Sequence, residues 1–329
     1  IPIVRMAYTF PGPWVELESV SQLANLYARY NAPCIIQFAN EPFDSREWRN
    51  KDVPPEDEAW SIIDRRFNEM AQAVTERGAI AGFPDGPCYA DNPFARTPSS
   101  EWVWYEGKAV YLGHHYGKGR PADYPCDDVS QNGTPLSYKE YKAALDDYAD
   151  DPAWNECLQP DGYVWLGALE TINKQRKEWA RPGLTVEYDD TCFNGWQRIA
   201  WFSQLTFGFQ VPMMMTEGGW VPRDRAGSNP TDIRWPMTTP KMVASKTLAM
   251  YEAQTPLLAI CPWLLACKEL GGSGWEFDSW VGGAYADKYG YEKPVVQTLK
   301  ANPPKSQTGG LERVQAILTE SLQLLKGVG

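Results

Sequence analysis

Apolar residues in this chain follow two alternating patterns: short continuous runs, and longer stretches in which they recur every three to four positions. The first run, "IPIVRMAYTF", stops at Pro11-Gly12-Pro13 and reads as a strand. In "VELESVSQLANLYARYN", Leu17, Val20, Leu23, Ala24 and Tyr27 keep helical spacing. "CIIQFANEP" is the next strand, and "PPEDEAWSIIDRRFNEMAQAVTERG" an amphipathic helix that opens on prolines and acids and closes at Gly78. "AIAGFPDG" and "AVYLGHHYG" are further strands. Residues 118–160 are rich in Pro, Asp and Gly and read as a long loop insertion with a helical piece inside.

Beyond that insertion the alternation resumes. "GYVWLGALETINKQRKEWARPG" reads as a helix, "LTVEYDD" as a short strand, "GWQRIAWFSQLTFGF" as a helix and "VPMMMTE" as a strand. Thr239 and Pro240 make an N-cap and a first helical residue for "KMVASKTLAMYEAQ". "LLAICPWLLA" reads as the last strand and "LERVQAILTESLQLL" as the closing helix. Repeated strand–helix units imply a parallel sheet covered by helices. The expectation is an α/β protein of the (β/α)8 barrel type, one domain over residues 1–329. The active site of such a barrel lies at the C-terminal ends of its strands.

Composition narrows this picture. Hydrophobic residues make up 43% of the chain, enough for a large core, and no apolar run approaches the roughly 18 residues that suggest a membrane span. The net charge of −11 would repel a nucleic-acid backbone. The 15 Trp and 17 Tyr are mostly what a large barrel buries, but they also supply flat apolar faces suited to the C–H faces of sugars. No C-x-x-C pair exists and the two histidines are adjacent, so neither a zinc ribbon nor a multi-histidine metal centre is expected, and no cofactor is implied. Cys126 and Cys157 offer one candidate disulfide, whereas Cys34, Cys261 and Cys267 sit in apolar runs as buried thiols. The chain opens at Ile1 without an initiator Met or a signal peptide, which implies processing or truncation.

The chemistry concentrates at two strand ends. "CIIQFANEPF" stops at Asn40, Glu41 and Pro42, and "VPMMMTEGGW" stops at Thr216, Glu217 and two glycines. Strand tips converge on one barrel mouth, so the two carboxyl groups can meet there. A pair of carboxyl groups flanking a glycosidic bond is the apparatus of a glycoside hydrolase. In "GHHYG", period-two spacing puts His114 and Tyr116 on one face and His115 on the other.

Asn-Glu-Pro at the end of one strand and Thr-Glu-Gly at the end of a later one resemble the clan A glycoside hydrolases, retaining enzymes on (β/α)8 barrels. The resemblance implies Glu41 as acid/base, Glu217 as nucleophile, and Asn40 as the amide that binds the sugar 2-hydroxyl. It also implies His114 and Tyr116 as the His-x-Tyr of strand 6 in cellulase-like members, with the tyrosine bonded to the nucleophile. Trp263 in "ICPWLL" resembles the strand 8 tryptophan that floors the subsite. Only one strand precedes Asn-Glu-Pro where a full barrel has three, so the expectation is a barrel incomplete at its N-terminus, its first two βα units missing or replaced by an unusual arrangement. The arginine and histidine that some families supply from strands 2 and 3 then have no matching motif, and Arg5 is a substitute with little support from the sequence.

The implied substrate is a poly- or oligosaccharide, with no nucleic acid, membrane or metal involved and an extracellular or cell-surface location. Glu187, at the end of "TVEYDD", competes for the nucleophile role, and Trp275 and Trp280 stay unassigned. The rival function is a non-catalytic glycan-binding or structural barrel. Carboxyl groups more than about 10 Å apart, beyond either hydrolytic geometry, would favour that rival.

Overall fold

The structure, a computed structural model, describes residues 3–6, 16–31, 33–48, 51–84, 91–149, 169–189, 192–221, 232–236, 238–253, 255–261 and 292–302. Five strands form one parallel sheet in sequence order: β1 (Ile3–Met6), β2 (Ile35–Phe38), β3 (Ile80–Pro84), β4 (Ala109–Tyr116) and β5 (Met213–Gly219). Residues 258–261 run parallel along the free side of β5, with Met215 N donating to Ala259 O at 2.9 Å and Cys261 N to Met215 O at 2.7 Å. The expected last strand therefore begins where the pattern put it. The rest of that expected strand, with Trp263, lies outside the described residues, as do Trp275, Trp280 and the closing helix.

The helices are α1 (Glu16–Arg29), α2 (Glu56–Thr75), α3 (Glu101–Tyr105), α4 (Asp128–Asn132), α5 (Tyr138–Ala149), α6 (Leu169–Glu178), α7 (Trp196–Phe207), α8 (Pro240–Glu252) and α9 (Pro294–Ala301). Thr239 caps α8 as expected, its Oγ1 accepting from Met242 N at 3.1 Å. None of the described helices is long and apolar enough to cross a membrane.

Alternation sorts each strand between two cores. On the helix side, Ile36, Phe38, Ala81, Phe83, Tyr111 and Met213 pack with Ile63, Phe67, Met70 and Val74 of α2. Phe67 meets Phe83 edge to face at 4.8 Å between centroids. Burying a side chain of that size contributes about 1.5–3 kcal/mol. On the other side, Ile3, Ile35, Ile80, Val110, Leu112, Met214 and Leu258 form a second apolar layer.

That second side is concave. In a flat sheet, β1 and β5 would be about 19 Å apart, four strand spacings of roughly 4.8 Å. An arginine and a glutamate cannot bridge that gap together, yet Arg5 Nη1 on β1 lies 2.6 Å from Glu217 Oε1 on β5. The sheet is curled into half a barrel, with the inner apolar layer at its base and the strand ends at its mouth. Among the described residues no strand pairs with the outer edge of β1.

Two local readings change. "LTVEYDD" is a turn rather than a strand, because Thr185 O accepts from Tyr188 N at 3.0 Å and from Asp189 N at 3.3 Å, so its backbone bonds to itself. A helical segment that no periodicity announced runs from a 3-10 turn at Pro98–Ser100 into α3. Its start is fastened from α2, where the Asp64 carboxylate accepts from Ser99 N at 3.1 Å and Ser100 Oγ at 2.9 Å. Cys126 is a free, exposed thiol, Cys34 is buried as expected, Cys261 is exposed rather than buried, and Cys157 and Cys267 lie outside the described residues.

Candidate active site

Two backbone irregularities aim the glutamates. Beyond β2, the fully buried Ala39 has φ 56°, a left-handed conformation that costs a non-glycine residue roughly 1–2 kcal/mol. It turns the chain out of the strand path just before Asn40 and Glu41. In β5 the register slips: Gly113 pairs with Met215, but His114 pairs with Glu217, which leaves Thr216 as an extra residue. This is a β-bulge, a device that re-aims a side chain.

The bulge decides which face Glu217 occupies. Met214 lies in the concave core, while Met213 and Met215 lie on the helix side. Strict alternation would send Thr216 inward and Glu217 outward with the two methionines. With Thr216 as the extra residue, Glu217 turns inward opposite His114. Gly218 completes the turn at φ 156°, where a Cβ would come within 2.3 Å of His115 O. Glycine is required there on both counts.

Four strands then converge on one cluster. Glu217 Oε1 accepts from Arg5 Nη1 at 2.6 Å, and its Oε2 accepts from the Tyr116 hydroxyl at 2.8 Å. His114 Nδ1 is 2.9 Å from Glu41 Oε1, and its Nε2 is 3.3 Å from Arg5 Nη2 and 3.7 Å from Glu217 Oε1. A guanidinium can only donate, so Nε2 must accept and Nδ1 carries the proton it donates to Glu41. The His114 side chain is 1% exposed, which fixes that bridge in place. Gln37, in the same inner row as Arg5, accepts from Arg5 Nε at 3.3 Å.

Burial pushes the Tyr116 hydroxyl far above its usual range, and the Glu217 charge adds to the effect, so this phenol stays a donor. His115, on the opposite face as expected, is driven down to about 3 by burial, with a smaller contribution from His114. It is a neutral core residue whose ring folds back over Gly113, where a Cβ would lie 2.5 Å from Nε2.

One carboxylate oxygen of Glu41 lies within 4.8 Å of one of Glu217. The separation that would favour the non-catalytic barrel is not found. Asn40 stands beside Glu41 but donates from Nδ2 to Glu47 Oε1 at 3.1 Å. Arg46 approaches Glu41 Oε2 at 3.5 Å. Glu187 is exposed on its turn and is not among the residues of this cluster. Trp263 lies outside the described residues. Sequence reasoning did not assign Gln37, Arg46 or Glu47 to this neighbourhood. Gln37 carried a signal, a polar side chain inside an apolar strand, while the other two sit in an ordinary polar turn.

Glu41, His114 and Glu217 also offer three donor atoms close enough to share a metal ion. The fit is poor. Arg5 already faces both Glu217 Oε1 and His114 Nε2, so a divalent cation there would meet a fixed positive charge. The His114 nitrogen that faces Glu41 carries a proton and cannot ligate. No metal is assigned to this cluster.

Fold and site together define a curled parallel α/β half-barrel with a paired-carboxylate centre at its strand ends. No family model matches the sequence, and no curated protein matches it. Among solved structures, that of a glycoside hydrolase family 5 enzyme from Prevotella bryantii B14 aligns with this one at a TM-score of 0.37 and 9% identity, over 91% of this chain and 69% of that chain.

Proposed function

We propose that this protein is a retaining glycoside hydrolase of the clan A type, with Glu217 as nucleophile and Glu41 as acid/base. The observation that carries the reading is the carboxylate pair, whose nearest oxygens lie within 4.8 Å. Retaining enzymes hold their carboxyl groups about 5–5.5 Å apart, and inverting ones about 6.5–9.5 Å to admit a water. One oxygen from each carboxyl within 4.8 Å is compatible with direct attack.

The two glutamates have different neighbours, and that difference suits different roles. Arg5 and Tyr116 each donate to one oxygen of Glu217 and hold it for in-line attack on the anomeric carbon. Glu41 receives His114 on Oε1 at 2.9 Å, while the largely exposed Arg46 stands farther off, 3.5 Å from Oε2, the oxygen that would face the leaving group. In the first step the Glu217–carbon bond forms, the glycosidic C–O bond breaks, and the Glu41 proton passes to the departing oxygen. In the second step Glu41 takes a proton from water, whose oxygen attacks the anomeric carbon and releases Glu217.

The test is hydrolysis of an arrayed set of polysaccharides and aryl glycosides, followed by incubation with a 2-deoxy-2-fluoro glycosyl fluoride. Turnover together with a glycosyl adduct on Glu217 supports the reading. Glycan binding without turnover on any member of the set would replace it with the binding-domain function.

A further inference from the structure

The least expected carboxylate near the site is Glu47, at the end of the 3-10 turn Ser45–Glu47. The turn is built to reach back toward the strand end. Asp44 caps it by accepting from Arg46 N at 2.7 Å, and the indole Nε1 of the buried Trp48 donates to Pro42 O at 2.7 Å. Together with the left-handed Ala39, these contacts fix both ends of the segment that carries Asn40, Glu41 and Glu47.

The amide of Asn40 is held in a costly orientation. Its Nδ2 donates to Glu47 Oε1 at 3.1 Å, while its Oδ1 is fully buried with no hydrogen-bond partner. A buried carbonyl without a donor is unfavourable, and an amide can turn over to exchange the places of its oxygen and nitrogen. A charged Glu47 forbids this, since a carboxylate only accepts and the flipped amide would set oxygen against oxygen. The same bond uses one of the two Nδ2 hydrogens and leaves the second for a ligand oxygen.

We propose that Glu47 is a positioning residue: in its charged form it locks Asn40 with the NH2 group presented to substrate, and its protonation releases the amide. Once protonated, Glu47 can donate to Oδ1 of the turned amide, which gives that oxygen a donor, carries the NH2 group to the buried side and offers substrate an acceptor in place of a donor. This extends the hydrolase reading, because it takes the sugar 2-hydroxyl as the group that Asn40 meets.

The pH at which this happens is displaced upward. Burial raises the Glu47 carboxyl above the usual glutamate range, opposed by the Asn40 hydrogen bond, with the Glu41 and Asp44 charges adding and Arg46 opposing. Among the described residues, these are the charged groups facing Glu47, all from the connection between β2 and α2. A raised value means the charged form is lost at a higher pH than for an exposed glutamate. The amide is locked above that pH and freed below it.

Two measurements on the full chain test this. The first follows the Asn40 side-chain amide by 1H–15N NMR across the mildly acidic range in wild type, Glu47→Gln and Glu47→Asp. The amide signals should show a step that follows Glu47 in wild type and in Glu47→Asp and lose that step in Glu47→Gln. Signals that do not titrate in wild type, or that titrate unchanged in Glu47→Gln, overturn the proposal. The second compares kcat/KM on a glycoside and its 2-deoxy analogue. Glu47→Gln should lose about 10-fold on the hydroxyl-bearing substrate, the scale of one charge-assisted hydrogen bond, and little on the 2-deoxy analogue. Equal losses on both substrates would reduce Glu47 to a structural role and sink the proposal. If no variant turns over any glycoside, the hydrolase reading has failed, and the NMR titration alone decides the Glu47–Asn40 relation.

Discussion

Glu217 stands opposite His114 in the sheet because β5 carries one residue more than β4 between Met215 and the strand end. That register step puts a carboxylate, rather than Thr216, among the donors of the concave face. Its neighbours Arg5 and Tyr116 then account for both of its oxygens.

Glu217→Ala should lower kcat by on the order of 10⁴-fold or more, the scale on which loss of a nucleophile acts. Added azide should restore part of the activity by attacking the anomeric carbon in the vacated space, giving a glycosyl azide of inverted configuration. Near-wild-type activity of this variant on a sensitive aryl glycoside would remove Glu217 from the mechanism and turn attention to Glu187.

Glu41→Gln keeps the shape of the side chain and removes its acid. The loss should grow with the basicity of the leaving group, severe on alkyl glycosides and slight on a dinitrophenyl glycoside that needs no proton. On substrates with poor leaving groups the pH–rate profile of the variant should differ from that of wild type. Tyr116 should contribute no alkaline limb of its own, since burial and the Glu217 charge keep its hydroxyl protonated. A profile unchanged by the substitution would rule out the acid role.

Arg5→Met removes the cation from Glu217 and the donor from His114 Nε2. The Arg5 side chain is 32% exposed and that of Glu217 10%, so the stability cost should fall between the surface and buried limits, about 1–2 kcal/mol in urea unfolding. Activity should fall further than this, by roughly 10²-fold in kcat, the scale of one donor lost from a developing charge. Tyr116→Phe should act in the same direction with little change in stability. Full activity in both variants would show that Glu217 needs neither partner.

His115 gives the fold a pH dependence of its own. Its folded value of about 3 lies below the ordinary value for an unfolded chain, so between about 6.5 and 3 the unfolded state binds more protons. Stability should therefore fall as pH drops through that window, with a limiting contribution of about 1.4 kcal/mol per pH unit from this residue. Unfolding free energies measured across this range should show a shallower slope for His115→Gln than for wild type. Parallel slopes would mean that His115 is accessible to protons in the folded state.

Much of the architecture can be read from neighbouring residues, because strand and helix periods are local. The runs ending at Phe38, Tyr116 and Glu217, the capped helix after Thr239, and the shared face of His114 and Tyr116 all follow from spacing that a few residues display by themselves. The types of group at the strand ends, two carboxyls with an amide and an imidazole, were visible in the same way. Orientation and partnership were not. Alternation counted from Met213 and Met215 sends Glu217 to the wrong face, and only pairing with β4 reveals Thr216 as the extra residue. Arg5 reaches Glu217 because the whole sheet curls, a property of five strands together. Asn40 turns to Glu47 because an ordinary alanine, Ala39, is held in a left-handed conformation by the packing around it. Side-chain identity and period belong to the chain alone, whereas register, curl and strain arise between segments far apart in it, and they decide which groups meet.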